Sequence, residues 1–274
     1  MKMIKSIKKT CSTSIFVLIF VLCALSTALA DDPKAREIMQ KVEDRDGGDN
    51  IANEMEMTLI DKRQKKRTRR LYSYKKDKGE DKYSILFFMH PADVKDTGFL
   101  TYDYDEQDKD DDQWLYLPAL RKTKRIASSD KSGSFMGSDL NYSDMIKSDL
   151  EDYDFTLIKE MDVNGVGTWV IESVPRSNKV IDETGYKKAL LFVRQDNYVV
   201  IRQAKYTQSG GYIKYVDVKT LELIDGIWVG TETHVAKKKG KKTLHKTILK
   251  LKNIKFNQNL DYDLFTLRQL EKGL

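Results

Sequence analysis

The side chains able to do acid–base, nucleophilic or metal chemistry are few in this chain and badly spaced for it. The three histidines, His90, His234 and His245, stand far apart in the sequence. None falls in an H-E-x-x-H arrangement, which places two imidazoles on one helix face for zinc. Gly133-Ser134-Phe135-Met136-Gly137 superficially resembles a nucleophile elbow, but that motif needs its serine midway between the glycines, where Phe135 stands. In the acidic run, Asp108, Asp110 and Asp112 alternate like the early ligands of a calcium loop. Gln113 then occupies the place that needs glycine, and Ala119 the place that needs a bidentate glutamate. Both cysteines, Cys11 and Cys23, lie in the first thirty residues, so beyond them the chain has no thiolate and no disulfide. RTRRLYSYKK, from Arg67, mixes aromatic and basic residues as a single-strand nucleic-acid binder does; export argues against that partner. The expectation is a protein without catalytic residues, cofactor, metal or nucleic-acid ligand.

What does stand out is the run from Gln113 to Met145, in which the strand QWLYL gives way to a Gly/Ser-rich loop carrying Phe135 and Met136 at its middle. Large apolar side chains in such a loop imply docking, because exposed apolar surface invites association. The loop reads as a lid, a latch or a partner contact.

The N-terminus sets the compartment. Lys2, Lys5, Lys8 and Lys9, an apolar run from Ile15 to Leu25, and Ala28-Leu29-Ala30 form a secretory signal with its cleavage pattern. The expected division is 1–30 as signal peptide, cleaved after Ala30, and 31–274 as a single exported domain in the periplasm. Cys23 follows Phe20-Val21-Leu22, which lacks the small residue that lipidation requires, so the domain is expected to be untethered. Without the four leader lysines, 44 basic residues face 42 acidic ones and the net charge of +6 falls to +2. The basic blocks Lys62–Arg70 and Lys237–Lys242 and the acidic block Asp103–Asp112 read as solvated hairpin tips and protected edges.

A helix opens the domain: Asp31 or Asp32 can cap it, Pro33 suits its first turn, and Ala35, Ile38, Met39 and Val42 form one apolar stripe before Gly47-Gly48. The period then changes to two, with Met55, Met57 and Leu59 alternating with polar residues. Strand-like stretches recur around 69–75, 83–89, 98–104, 113–117, 155–161, 167–174, 189–194, 198–206, 212–223, 227–235 and 243–256. Asn164-Gly165 and Asp225-Gly226 are hairpin turns between them. A second helix is expected near Tyr142–Ser148. A meander of about a dozen strands must curl, and phase slips around Leu244–Leu251 read as bulges in a bent sheet. The expected fold is mainly β with a few helices: a curved antiparallel incomplete barrel whose concave apolar face the helices cover or plug.

Trp114, Tyr116, Pro118, Arg121 and Arg125, followed by Ser134-Phe135-Met136-Gly137-Ser138-Asp139, Tyr142 and Asp144, resemble the central motif of the LolA-like outer-membrane lipoprotein-sorting proteins of Gram-negative bacteria. The likeness runs on to LFTLRQLE around Phe265 and covers essentially the whole exported domain. It implies an apolar concavity, closed by helices, that carries lipid or lipoprotein acyl chains across the periplasm towards a membrane or outer-membrane acceptor, and an RND-type inner-membrane transporter as partner. It also implies an arginine on an early strand that holds the lid, for which Arg67, Arg69 and Arg70 all qualify. An adaptor for such a transporter, carrying no lipid, is the alternative.

Candidates for the cavity lining are Met55, Met57, Leu59, Leu86, Phe88, Phe99, Trp114, Tyr116, Leu191 and Val193. Methionines such as Met55, Met57, Met89 and Met136 can repack around differently shaped tails. Candidates for the lid or partner loop are Arg121, Arg125, Ser134, Phe135, Met136, Gly137, Ser138, Asp139 and Tyr142.

Overall fold

The computed structural model describes residues 31–106 and 109–274. The signal peptide expected over 1–30, and Asp108 of the acidic run, lie outside the described residues. From Asp32 onward the chain forms one compact unit.

Thirteen antiparallel strands make one open, curved sheet: β1 (Asn50–Asp61), β2 (Lys66–Lys78), β3 (Asp81–His90), β4 (Gly98–Asp103), β5 (Asp112–Leu117), β6 (Lys122–Arg125), β7 (Tyr153–Val163), β8 (Val166–Pro175), β9 (Tyr186–Arg194), β10 (Val200–Thr207), β11 (Ile213–Ile224), β12 (Ile227–Lys239) and β13 (Lys242–Phe256). Their order is β6-β5-β4-β3-β2-β1-β13-β12-β11-β10-β9-β8-β7. The chain therefore starts in the middle of the sheet, meanders to one edge at β6, and returns from the opposite edge at β7 to close beside its first strand. Residues 126–152 join the two edges. That topology forces the segment across a face of the sheet.

The hairpin turns form where the chemistry asks for them. Asn164-Gly165 and Asp225-Gly226 carry positive φ at both positions, the geometry that matches strand twist in a two-residue loop. Bulges interrupt pairing on both sides of β13, between Ala52 and Glu54 and between Lys237 and Lys238; the expected slip at Ile248–Leu249 is not one of them, because those residues pair in regular register with both neighbouring strands.

Three helices decorate the sheet. Helix α1 (Pro33–Glu43) is capped by Asp32, whose carboxylate accepts from the N–H groups of Lys34 and Ala35. It buries Ala35, Ile38 and Met39 against Phe155, Ile171 and Val193. Helix α2 (Asn178–Thr184) lies between β8 and β9, and α3 (Leu267–Lys272) packs on the outer face. The helix expected over Tyr142–Ser148 is a single 3₁₀ turn, Tyr142–Met145. Asn141 and Asp144 close a capping box around that turn, after which Ile146 is extended.

Strand β3 shows how the faces divide. Leu86 and Phe88 point inward, while Ile85 and Phe87 point outward to Phe265 and Leu270 of the C-terminal segment. The contact with α3 is close: a Cβ on Gly98 of β4 would come within 2.6 Å of Leu270 Cδ1 and 3.1 Å of its carbonyl. Glycine is the residue that permits this approach.

Candidate functional site: the inner face and its crossing segment

Residues 131–143 of the crossing segment fold into a small hairpin pressed on the inner face. Its own rungs are Phe135 N to Leu140 O at 2.8 Å, Tyr142 N to Gly133 O at 3.0 Å and Ser143 N to Lys131 O at 2.9 Å. Met136 and Gly137 at the tip both have positive φ, 50° and 72°, and that tight reversal sends Phe135 down into the sheet. Phe135 is 0 % exposed. Its ring stands 5.0 Å from Phe99, 5.8 Å from Tyr142 and 6.2 Å from Phe88, centroid to centroid. Met57, Leu59, Leu71, Leu86, Leu115 and Ile126 complete the cluster, with Met55 and Met136 at its margin.

Of the three early-strand arginines, one touches the crossing segment. Arg69 on β2, only 8 % exposed, donates from Nη1 to the Met136 carbonyl at 2.5 Å, and its guanidinium lies 5.8 Å from the Phe88 ring centroid. Arg67 and Arg70 are exposed.

Beyond the tip, three polar residues, Asp139 and Asp144 of the motif and Asn141 between them, tie the hairpin to the far strands. The Asp139 carboxylate meets His245 Nδ1 at 2.8 Å and accepts from Thr247 Oγ1 at 2.8 Å. Asn141 accepts from Lys214 Nζ at 2.6 Å and donates to the Thr184 carbonyl at 2.8 Å. Asp144 accepts from Lys205 Nζ at 2.6 Å, Tyr186 Oη at 2.8 Å and the Asn141 N–H at 2.7 Å. Burial alone would raise the Asp144 pKa, but Lys205 and Lys214 hold it below the ordinary carboxylate range, while burial and that carboxylate push Tyr186 upward. Hydrogen bonds to charged groups contribute roughly 1.5–3 kcal/mol each. The hairpin is thus a fixed partition of the inner face.

On the other side of this partition lies a cavity of about 550 Å³. Met39 and Val42 of α1, Leu150, Phe155, Leu191 and Val200 give it an apolar wall. Glu43, Glu80, Lys82, Asp105, Lys147 and Lys188 add charge around its more exposed side, and the Asp144–Lys205 pair lines it deeper in. Lys147 forms an ion pair with Glu43 of α1, and its backbone N–H donates to Asp103 Oδ2 at 2.8 Å. Burial pushes the Asp103 carboxyl up to about 6 against that hydrogen bond. Asp149 also rises to about 6, through burial and then the charges of Asp111 and Asp152. The Tyr153 hydroxyl, likewise buried, is pushed up to about 12.

The candidate lining residues therefore separate into three groups. Met55, Met57, Leu59, Leu86, Phe88 and Phe99 do face inward, but the space in front of them is taken by Phe135. Leu191 lines the cavity, and Val193 is buried beneath α1. Trp114 and Tyr116 do not face the concavity: on β5 it is Leu115 that points in, and strand alternation turns its two neighbours, with Met89 of β3, to the outer face beside α3. Of the loop candidates, Phe135, Ser138 and Asp139 are buried and Tyr142 half-buried, whereas Ser134 bonds the Ser138 carbonyl at 2.6 Å. Gly137 is exposed, and so are Arg121 and Arg125, the latter paired with Asp112. Sequence reasoning missed Met39, Val42, Leu150 and Val200 as cavity walls, and Lys205 and Lys214 as the anchors of the partition. A lysine within an otherwise apolar strand pattern is the signal that could have found the last two.

Comparison with known proteins follows the same fold. A family model carrying the description "-like: Uncharacterized protein" matches residues 80–272. A crystal structure of a DUF1329 family protein from Desulfovibrio piger is 29% identical, covering 88% of this chain and 99% of that one with a TM-score of 0.80. A structure described as a putative outer membrane lipoprotein-sorting protein domain, from Vibrio parahaemolyticus, is also 29% identical, covering 87% and 98% at a TM-score of 0.78. The chain belongs to the LolA-like lipoprotein-sorting family. A LolA superfamily protein from Nitrosomonas europaea, 19% identical, shares the fold at a TM-score of 0.63 over 86% of this chain and 98% of that one. No curated protein sequence matches the chain. Family and fold are those of a binding protein rather than an enzyme.

Proposed function

We propose that this protein is a periplasmic carrier that takes a lipid or lipoprotein acyl chain into the cavity under α1 and passes it towards an outer-membrane acceptor. Export through cleavage after Ala30, and a membrane transporter of the RND type as donor partner, belong to the same reading. The observation that carries it is the cavity of about 550 Å³ with an apolar wall and charged residues around its more exposed side. Its size falls within the roughly 300–1,000 Å³ of small-ligand sites, and its polarity matches a chain with a polar head. Burying an acyl chain is favourable by about 0.8 kcal/mol per methylene, so an apolar wall of this kind offers an effective refuge from water.

Helix α1 is the element suited to be the movable cover. It rests on one apolar stripe, and its polar ties to the neighbouring strands and crossing segment include the Lys147–Glu43 and Lys34–Glu160 pairs and two bonds from Arg36 to the Leu150 and Tyr153 carbonyls, each 2.7 Å. The burial of Phe135 makes that ring an internal plug rather than a hook for a partner. Lipid mass spectrometry on protein purified without detergent tests the reading: co-purifying acyl lipid is expected, reduced on Leu191→Trp, which narrows the cavity beneath α1. Protein that neither retains lipid nor takes up an acyl ligand contradicts it.

A further inference from the structure

A row of basic side chains crosses the inner face under the partition. Lys205, Lys214, Lys237 and His245 stand directly opposite one another in four successive strands, β10 to β13. Like charges placed opposite destabilise a sheet, so each needs a partner. The outer two have one: Lys205 pairs with Asp144 and His245 with Asp139. The middle two differ. Lys214, buried, bonds only the neutral amide oxygen of Asn141 among its side-chain contacts. Lys237 lies 4.5 Å from the Tyr212 ring centroid, and among the described residues neither amine has a carboxylate within ion-pair distance. Burial pushes Lys214 down to about 8, against the opposing pull of Asp144 and Asp139.

Both lysines line a second cavity, of about 410 Å³, which shares no lining residue with the one under α1. Ser132, Ser209 and Tyr212 add hydroxyls to its wall. Asp139 is on the wall as well, with its carboxylate engaged by His245 and Thr247. The pairing of Asp61 with His245 puts the tips of the β1–β2 and β12–β13 hairpins at this end of the sheet. Those tips carry Lys62, Arg63, Lys65 and Lys66, and Lys238, Lys239, Lys241 and Lys242. Their positive field draws anions towards the opening.

We propose that this second cavity binds a phosphate-class anion, a phosphate mono- or diester, held by Lys214 and Lys237 with the surrounding hydroxyls completing its shell. Two compact ammonium charges with hydroxyl donors on the same cavity wall suit a group whose oxygens accept from several directions, and such a guest supplies the negative charge that the middle of the row lacks. The inference stands apart from the acyl-chain reading.

Isothermal titration of the full exported domain with inorganic phosphate, and separately with dihexanoyl phosphatidylglycerol below its micelle concentration, tests it. Saturable binding of at least one ligand is expected, weakened about tenfold in Lys237→Gln, as for loss of one charge-assisted hydrogen bond. Lys241→Gln, which removes the same charge from the exposed hairpin tip, should change affinity by less than about twofold. Tighter binding of the lipid identifies a headgroup as the source, and equal binding identifies the free phosphate group. Absence of saturable binding to both ligands, or equal weakening in the two variants, overturns the proposal. Uptake of a neutral acyl ligand by Lys237→Gln, with a melting curve matching the wild type, keeps this failure distinct from failure of the carrier reading.

Discussion

The two halves of the inner face belong to one antiparallel sheet and end up in opposite states. In front of β1–β5 the space is solid, because Phe135 fills it against Phe88, Phe99, Met57 and Leu59. In front of β8–β10 it is hollow, because the crossing segment there presents Ser143, Ser148 and Leu150, and the strands answer with Ser173, Ala189 and Gln203. One segment crosses both halves and changes from large to small residues on the way. A cavity is thus made by what fails to reach across it, and its position follows the composition of the segment more than that of the sheet.

Perturbing the filled half should cost stability. Phe135→Ala is expected to destabilise the domain by about 3–5 kcal/mol, as for other buried phenylalanines, read as a lowered urea midpoint. A small loss would mean that the plug is loosely held and the contrast between halves weaker than described. Arg69→Met, which frees the Met136 carbonyl, should cost about 1.5–3 kcal/mol by the same measurement. The hollow half should respond differently. Leu191→Trp is expected to change the midpoint by less than about 1 kcal/mol, because the ring enters existing space, while uptake of an acyl ligand falls sharply.

The smallest expected effect is electrostatic. Asp149 has a folded pKa of about 6, above its ordinary value, so the folded state binds its proton more tightly than the unfolded chain and loses relative stability as pH rises from about 4 through 6. Asp149→Asn should therefore raise the melting temperature at pH 7 and leave it unchanged at pH 4. Equal melting temperatures at both values would mean that the residue is as solvated as a free carboxylate.

Legibility from sequence followed the same division. The strands that alternate cleanly, such as Met55-Glu56-Met57-Thr58-Leu59, announced both their conformation and their inner face. Asn164-Gly165 and Asp225-Gly226 announced their turns. Around SILFFM and QWLYL the phase could not be read, because β3 to β5 are buried on both sides and an apolar residue at every position carries no alternation. That is why Trp114 and Tyr116 were expected inside when α3 covers them outside. The short α2, α3 and β6 left too few periods to register. Residues 142–148 carry helix-compatible residues, but Asp144 spends its carboxylate on Lys205 and Tyr186, and Lys147 is drawn to Asp103 and Glu43. Those are partners distant in sequence, and they override local preference. The Phe-Met loop was expected to dock, yet that Phe135 docks on the chain's own inner face depended on the space in front of β1–β5.

Methyl-resolved NMR during titration with palmitate compares the two halves directly. The methyl signals of Val42, Leu150, Leu191 and Val200 should shift, while those of Leu59, Leu71 and Leu86 stay in place. Unmoved signals throughout, or shifts confined to the residues packed around Phe135, would contradict the assignment of the hollow under α1 as the acyl-chain site.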